Sequence, residues 1–492
     1  MKARTDPKHL LLCISLVCIS WIFCGTLQAA EPRPNIVFIL ADDMGYGDPH
    51  CFNSQSRIPT PSIDRLASQG MRFTDAHAPG AVCVPSRYGL LTGRYPFRNT
   101  GVRNPANGAM IEPGRPTIAT VLRDRGYVTG MIGKWHLGFE GGDRFDHSGP
   151  LRGGPVDHGF DTFFGQHASL DIPPYFFIDQ DHCVEVPTAT IGASSSPDWS
   201  PIQGVFWRAG KIAPSYKHAD VLPTYTRKAV EYIEARGKLA ETANKPFFLY
   251  VAFTAPHTPW VPMEQFRGKS MGGLYGDFVA QVDDAAGQVL AALDRAGLSG
   301  NTLVIFTSDN GPVWYPADVK KFGHSAAGSW RGMKGDVWEA GHRMPFIARW
   351  PGKVAPGTSC DQTICFTDMM ATFASVADKP LADGVGQDSY DLLPLFLGRP
   401  MAGPLREATV IESSQGVLAI RQGDWKLIPH LGSGGFTRPA TVRPRPGEPT
   451  GQLYNLAEDP GETTNRYAEQ PKIVQHLTAL LADYRRGTQT RP

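Results

Sequence analysis

Four short apolar runs punctuate the chain, and each ends in polar residues. Asn35–Leu40 leads into Asp42-Asp43, and Val128–Ile132 into Gly133-Lys134-Trp135-His136. Phe247–Phe253 leads into Ala255-Pro256-His257, and Leu303–Phe306 into Ser308-Asp309-Asn310-Gly311. Continuous runs of β-branched and aromatic residues suit strands covered on both faces, as in a parallel sheet. Helical spacing lies between them. Ile63, Leu66 and Ala67 precede Gly70; Ile118, Val121 and Leu122 precede Gly126, with Thr117 as N-cap; Tyr225–Glu234 and Phe278–Leu293 carry the same period. The alternation predicts an α/β fold with a large, mixed, mostly parallel sheet flanked by helices. In such sheets ligands sit beyond the carboxyl ends of the strands, which is where the four polar endings converge.

Past about residue 395 the pattern changes. Leu418–Ile420 and Trp425–Ile428 read as antiparallel strands joined at Gln422-Gly423-Asp424, residues 431–450 as a Gly/Pro/Arg-rich loop, and Pro471–Tyr484 as an amphipathic helix. We therefore divide the chain into a leader (1–30), a large α/β domain (31–395) that carries the four polar strand endings, and a small C-terminal α+β subdomain (396–492) of antiparallel sheet plus helix. The leader has Lys2, Arg4 and Lys8 before the apolar run Leu10–Cys24, with Ala29-Ala30 after it. That is the pattern of a secretory signal peptide, too short to span a bilayer, and it predicts export to the periplasm or outside the cell. No stable membrane insertion is expected after cleavage.

Composition narrows the picture further. The 492 residues carry 48 Lys+Arg and 47 Asp+Glu, a formal net charge of +1. Loss of the leader leaves 45 basic against 46 acidic residues. Neither balance gives the field needed to hold nucleic acid or an acidic membrane. Of eight cysteines, three leave with the leader, and the five that remain are an odd number. Cys51, Cys183, Cys360 and Cys365 could form zero, one or two disulfides. No Asn-x-Ser/Thr sequon occurs.

The fifth cysteine lies in the segment Cys83-Val84-Pro85-Ser86-Arg87-Tyr88-Gly89-Leu90-Leu91-Thr92-Gly93. Pro85 suits the first turn of a helix, so Cys83 falls at a helix N-terminus, where backbone N–H groups favour an anion. Arg87, four residues on, returns to the same face. The string resembles the sulfatase signature Cys-x-Pro-Ser-Arg-x-x-x-Leu-Thr-Gly at every fixed position. Further segments extend the resemblance from Asn35 to about Leu456: Asp42-Asp43 with Gly45-Tyr46-Gly47-Asp48, Gly133–Gly138, Pro256-His257, Asp309-Asn310-Gly311, Lys334-Gly335, Gly341–Pro345 and Leu453–Leu456. The chain resembles a type I formylglycine-dependent sulfatase of the alkaline phosphatase-like superfamily.

The resemblance implies that Cys83 is oxidised by a formylglycine-generating enzyme and that the hydrate of the aldehyde supplies the attacking hydroxyl. It implies Ca²⁺, with Mg²⁺ second, held by residue 83 and by Asp42, Asp43, Asp309 and Asn310, an all-oxygen set once residue 83 is converted. Three carboxylates outweigh one dication, and sulfate is itself an anion, so Lys134, Lys334 and Arg87 are expected to supply compensating charge. By the same analogy His257 protonates the leaving alcohol, with Lys334 beside it, and His136 takes a proton from the hydrate. Ser169 is expected on the substrate side. Trp135 and Trp338 read first as packing residues. A sulfated carbohydrate outside the cytoplasm is the expected substrate, with an aryl sulfate also accepted. The segment Asp171–Tyr175 resembles sulfatases of galactose- or N-acetylgalactosamine-type sugars. Two other readings stand beside this one: a phosphodiesterase or phosphonate monoester hydrolase of the same superfamily, and a non-catalytic glycan-binding protein on this scaffold.

Overall fold

The computed structural model describes residues 32–144, 146–239 and 245–491, and the expected leader lies outside them. From Arg33 onward the chain forms one compact unit. Its largest sheet has ten strands. In spatial order they are Thr358–Cys360, Met71–Phe73, Phe346–Arg349, Thr302–Ser308, Asn35–Asp42, Phe247–Pro256, Val128–Lys134, Thr162–Gln166, Ile178–Asp179 and His182–Cys183.

The five strands from Thr302–Ser308 to Thr162–Gln166 run parallel. The flanking strand Phe346–Arg349 is antiparallel, as is Ile178–Asp179 at the other side. The sheet is thus mixed and mostly parallel, as expected for the alkaline phosphatase-like class. Every residue of Asn35–Asp42, Phe247–Pro256 and Thr302–Ser308 is buried. Covering on both faces explains why these runs are continuously apolar rather than alternating. One group of helices (Pro61–Ser68, Val221–Lys238, Gly273–Arg295) packs together, and a second (Cys83–Thr92, Ile118–Arg123, Met369–Val376) does likewise. Phe373 of the second group packs on Phe38 and Phe248 of the sheet.

The strands run further than the apolar runs alone suggest. Asp42 and Lys134 are the last residues of their strands, not the first of loops. Gly133 makes this possible: its φ is +119°, and a Cβ there would meet Ala252 O at 1.8 Å.

A four-stranded antiparallel sheet (Thr409–Glu412, Leu418–Gln422, Trp425–Ile428, Gln452–Asn455) follows. Helix Pro471–Arg486 packs on it through Leu477 and Leu481, against Ile420, Leu427 and Leu453. The edge strand Thr409–Glu412 is stitched to the segment before Cys83: Ala81 N donates to Glu412 O at 2.8 Å, and Glu412 N to Pro79 O at 3.0 Å. Among the described residues, no helix is long and apolar enough to cross a membrane, and Cys51, Cys83, Cys183, Cys360 and Cys365 are all free.

Candidate active site

Strand register assembles the site. Ala41 is level with Ser308 on the neighbouring strand, so the residues just past both positions emerge side by side. Asp309 N donates to Ala41 O at 3.1 Å, Asp43 N to Asp309 Oδ1 at 3.2 Å, and Met44 N to Ser308 Oγ at 2.9 Å. Asn310 Nδ2 donates to Asp43 Oδ1 at 2.7 Å. Asp43 takes a left-handed backbone (φ 67°) to make the turn, a conformation unusual outside glycine and concentrated at functional sites. Gly311 permits close approach of the next segment, since a Cβ there would lie 1.7 Å from Ala340 O.

Cations then enter from three directions. Arg87, buried on helix Cys83–Thr92, donates through Nε to Asp309 Oδ2 at 2.9 Å and through a terminal nitrogen to Lys134 O at 3.1 Å. Lys134 Nζ meets Asp42 Oδ2 at 2.6 Å, and Lys334 Nζ meets Asp43 Oδ1 at 2.6 Å. Neither lysine is a solvated surface residue; both are buried. Cys83 begins its helix and is 7% exposed, and burial pushes its thiol up against the opposing pull of Lys134 and Lys334.

The electrostatics follow from this interleaving. Burial pushes the Asp42 carboxyl up, but Lys134, His257, Arg87 and Lys334 outweigh it and hold the group well below the usual carboxylate range. Burial and the neighbouring Asp42 charge push Asp309 up instead. Burial and the cations Lys134 and Arg87 drive His136 well below the ordinary imidazole value, so it is neutral at neutral pH. His136 also has a left-handed backbone (φ 59°), and its buried Nδ1 has no hydrogen-bond partner. His257 donates from Nδ1 to Thr258 O at 2.8 Å, which turns Nε2 toward Asp43 Oδ2 at 3.7 Å.

The donor set can be tested for a cation. Asp42 Oδ1 and Asn310 Oδ1 are buried without a hydrogen-bond partner. One ligand atom each from Asp42, Asp43 and His257 lies within 4.8 Å of the others. Unfilled acceptors in an acidic, oxygen-rich set fit a hard dication such as Ca²⁺ or Mg²⁺.

The structure therefore brings together Asp42, Asp43, Cys83, Arg87, Lys134, His257, Asp309, Asn310 and Lys334, with His136 alongside. Ser169 is buried, and its Oγ has no partner. Trp135 is a packing residue: it stacks on His158 and donates to Gly138 O at 2.9 Å. A cavity of about 240 Å³ adjoins the cluster, lined in part by Val84, Asn104, His136, His167 and Ile172.

Two neighbours, Asp171 and Asp48, stood out in the sequence only within longer segments and had no role of their own there. Asp171 lies 3.9 Å from His257 Nδ1 through a buried oxygen without a hydrogen bond, while its other oxygen takes a 2.5 Å bond from Arg208. Asp48 receives Gly45 N at 2.6 Å and Tyr275 Oη at 2.5 Å and pairs with His324 at 2.8 Å, which clamps the turn carrying Asp43.

A family profile described as Sulfatase matches residues 34–379. An N-acetylgalactosamine-6-O-sulfatase from Bacteroides thetaiotaomicron is 35% identical over 489 residues, covering 91% of this chain and 92% of that protein. Human arylsulfatase A is 32% identical over 496 residues, covering 96% and 90%. A solved structure from work on glycosaminoglycan metabolism by Bacteroides thetaiotaomicron superposes with a TM-score of 0.81 at 33% identity, covering 93% of this chain and 100% of that one.

Proposed function

The chain belongs to the sulfatase family and hydrolyses sulfate esters; from that premise we propose that the protein is exported and that its substrate is an extracellular sulfated carbohydrate of the galactose or N-acetylgalactosamine type. We propose further that Cys83 matures to formylglycine and that Asp42, Asp43, Asp309, Asn310 and residue 83 hold Ca²⁺. The substrate named for the Bacteroides relative supports the sugar class, and the leader supports export. The observation that carries the reading is the convergence of Cys83, at its helix N-terminus, with an acidic cage and three buried cations.

Each residue then has a task that its position allows. When present, the cation offsets charge on the sulfuryl oxygens and the modified residue 83 supplies the attacking hydroxyl. Lys134 and Lys334 stand beside residue 83 and balance a sulfate that would otherwise meet three carboxylates. Arg87 locks Asp309 to the signature helix. Neutral His136 accepts a proton, and His257 Nε2, aimed at the cage, delivers one to the departing alcohol. Ser169 Oγ and Asp171 Oδ1, buried and unbonded, are positioned to receive sugar hydroxyls.

The test compares enzyme bearing the aldehyde, verified by mass spectrometry of the residue-83 peptide, with Cys83→Ala. Substrates are an aryl sulfate, an aryl phosphodiester and N-acetylgalactosamine 6-sulfate. The variant should lose about four orders of magnitude or more on both sulfates, as expected for removing a nucleophile. A preference for the phosphodiester, or activity that survives in Cys83→Ala, overturns the mechanism. Failure on the sugar sulfate alone overturns only the substrate class.

A further inference from the structure

A second cavity, of about 460 Å³, is built on the two segments that deliver Asn310 and Lys334. Its walls include Trp314, four residues past Asn310, and Trp330, Arg331 and Met333, just before Lys334. These segments are joined where Lys334 N donates to Pro312 O at 2.9 Å. The Gly/Pro/Arg-rich loop adds Arg438 to the lining, and Trp338 completes it. That loop is fastened beside Lys334, because Thr437 N donates to Asp336 Oδ1 at 3.0 Å and Val337 N to Ser433 O at 2.9 Å. The volume lies within the range of about 300–1,000 Å³ typical of ligand pockets.

The lining has a definite chemistry. It contains three tryptophans, two arginines and, among the described residues, no carboxylate. Arg331 is held in place: its guanidinium lies 3.6 Å from the centroid of the Trp338 ring and donates to Tyr454 Oη at 3.3 Å and to Glu462 O. An arginine whose plane is fixed on an aromatic ring recognises oxyanions with little ordering cost. Aromatic faces complement the C–H faces of a sugar ring, as they do other apolar surfaces edged with polar groups.

We propose that this cavity is a subsite for a second, anionic sugar unit of the same chain, the neighbour of the unit that loses its sulfate. The inference rests on the carbohydrate reading above and adds to it that the preferred substrate is an acidic oligosaccharide rather than a monosaccharide sulfate. Arg331 and Arg438 face its carboxylate or sulfate, and the tryptophans form the wall for its ring.

The experiment uses the full-length aldehyde-bearing enzyme with Arg331→Gln and Arg438→Ala. Four probes are compared: an aryl sulfate, N-acetylgalactosamine 6-sulfate, a trisaccharide in which that unit is followed by a hexuronic acid, and the same trisaccharide with the uronate methyl-esterified. The wild type should show kcat/KM at least about tenfold higher on the acid trisaccharide than on its ester or the monosaccharide, carried by KM and shrinking as salt rises. Each variant should lose most of that preference and keep aryl sulfate and monosaccharide rates within about twofold, as expected for uniform binding remote from the reacting atoms. Arg438→Ala serves as the second arm because Arg438 is exposed. Equal rates on acid and ester, or variants that retain the preference, overturn the subsite. A wild type that cleaves the aryl sulfate but neither sugar overturns the carbohydrate reading instead.

Discussion

At the strand ends, Asp42, Asp43 and Asp309 are interleaved with Arg87, Lys134 and Lys334. A second buried cluster sets Asp75, Glu339 and Glu462 against Arg343, Arg421 and Lys426, with His77 and His342 between them. Both have three carboxylates and three cations. They differ in what is left over. In the first, Asp42 Oδ1, Asn310 Oδ1 and the nearby His136 Nδ1, Ser169 Oγ and Asp171 Oδ1 have no hydrogen-bond partner. In the second, Lys426 Nζ donates to Glu339 at 3.0 Å and His342 Nε2 at 3.2 Å, His342 Nδ1 and His77 Nδ1 are 3.0 Å apart, and His77 Nε2 meets Asp75 at 2.8 Å. The one unbonded atom there, Glu462 Oε1, still faces Lys426 at 2.9 Å.

The difference separates a site from a strut. Buried polar atoms are costly when unpaired, so an orphan set marks a place completed by something else. The trio His77, Glu339 and His342 is close enough to hold a metal, yet Lys426 and Arg343 already occupy the Glu339 oxygens. The second cluster instead ties the C-terminal sheet, through Arg421 and Lys426, to the segments around residues 75–77 and 339–343. The largest effect expected from this contrast is on stability. Glu339→Gln leaves Lys426 with Glu462 alone and Arg343 with Asp75 alone; two carboxylates then face three buried cations, and the uncompensated charge should cost about 3–5 kcal/mol, with kcat per folded molecule unchanged. Urea unfolding and active-site titration measure both. A loss under about 1 kcal/mol, or a fall in kcat without a fall in stability, would erase the distinction.

The first cluster was largely legible in the sequence, and the second was not. Asp42, Lys134, His257 and Asp309 each follow an apolar run, and parallel strands place such residues along one edge. Cys83 and Arg87 sit in a motif with fixed spacing. The Asp75–Glu462 cluster draws its members from five segments with no shared period; His342 and Arg343 fall in the Gly341–Pro345 motif, but only the tertiary fold pairs them with the rest. Asp171 opens the Asp171–Tyr175 segment that pointed to the sugar class, but its proximity to His257 joins residues 86 positions apart and was hidden. The strand Thr162–Gln166 (TFFGQ) also escaped; one Gly and a polar end dilute its apolar signal.

A metal titration sharpens the comparison at an intermediate scale. Calcium at one hundred times its Kd should raise the unfolding free energy by about 2.7 kcal/mol through mass action, and magnesium should do less. Asp42→Asn should abolish the calcium-dependent rise in Tm, whereas His77→Gln should keep it. The reverse pattern would move the ion to the second cluster and exchange the two assignments.

The smallest effect concerns acid. Burial pushes the Asp75 carboxyl up, but Arg343, His77 and Arg421 outweigh it and hold it well below its ordinary value. A carboxyl depressed in the folded state stabilises fully above its unfolded pKa, near 3.9, and that stability is lost as pH falls through the folded value. Arg421 Nη1 donates to Asp75 Oδ1 at 2.7 Å. Arg421→Gln should therefore cost about 1–2 kcal/mol at pH 7. The deficit should be unchanged at pH 5, where Asp75 is ionised in both folded and unfolded chains. It should shrink only as pH falls through the folded Asp75 value of the variant, which the weaker cationic field leaves above that of the wild type; proton uptake by the unfolded chain is common to both and cancels. Urea midpoints at pH 7, at pH 5 and in stronger acid decide it. A deficit that changes between pH 7 and 5 would instead assign the coupling to an imidazole, which would make the cluster a titrating device rather than a fixed strut.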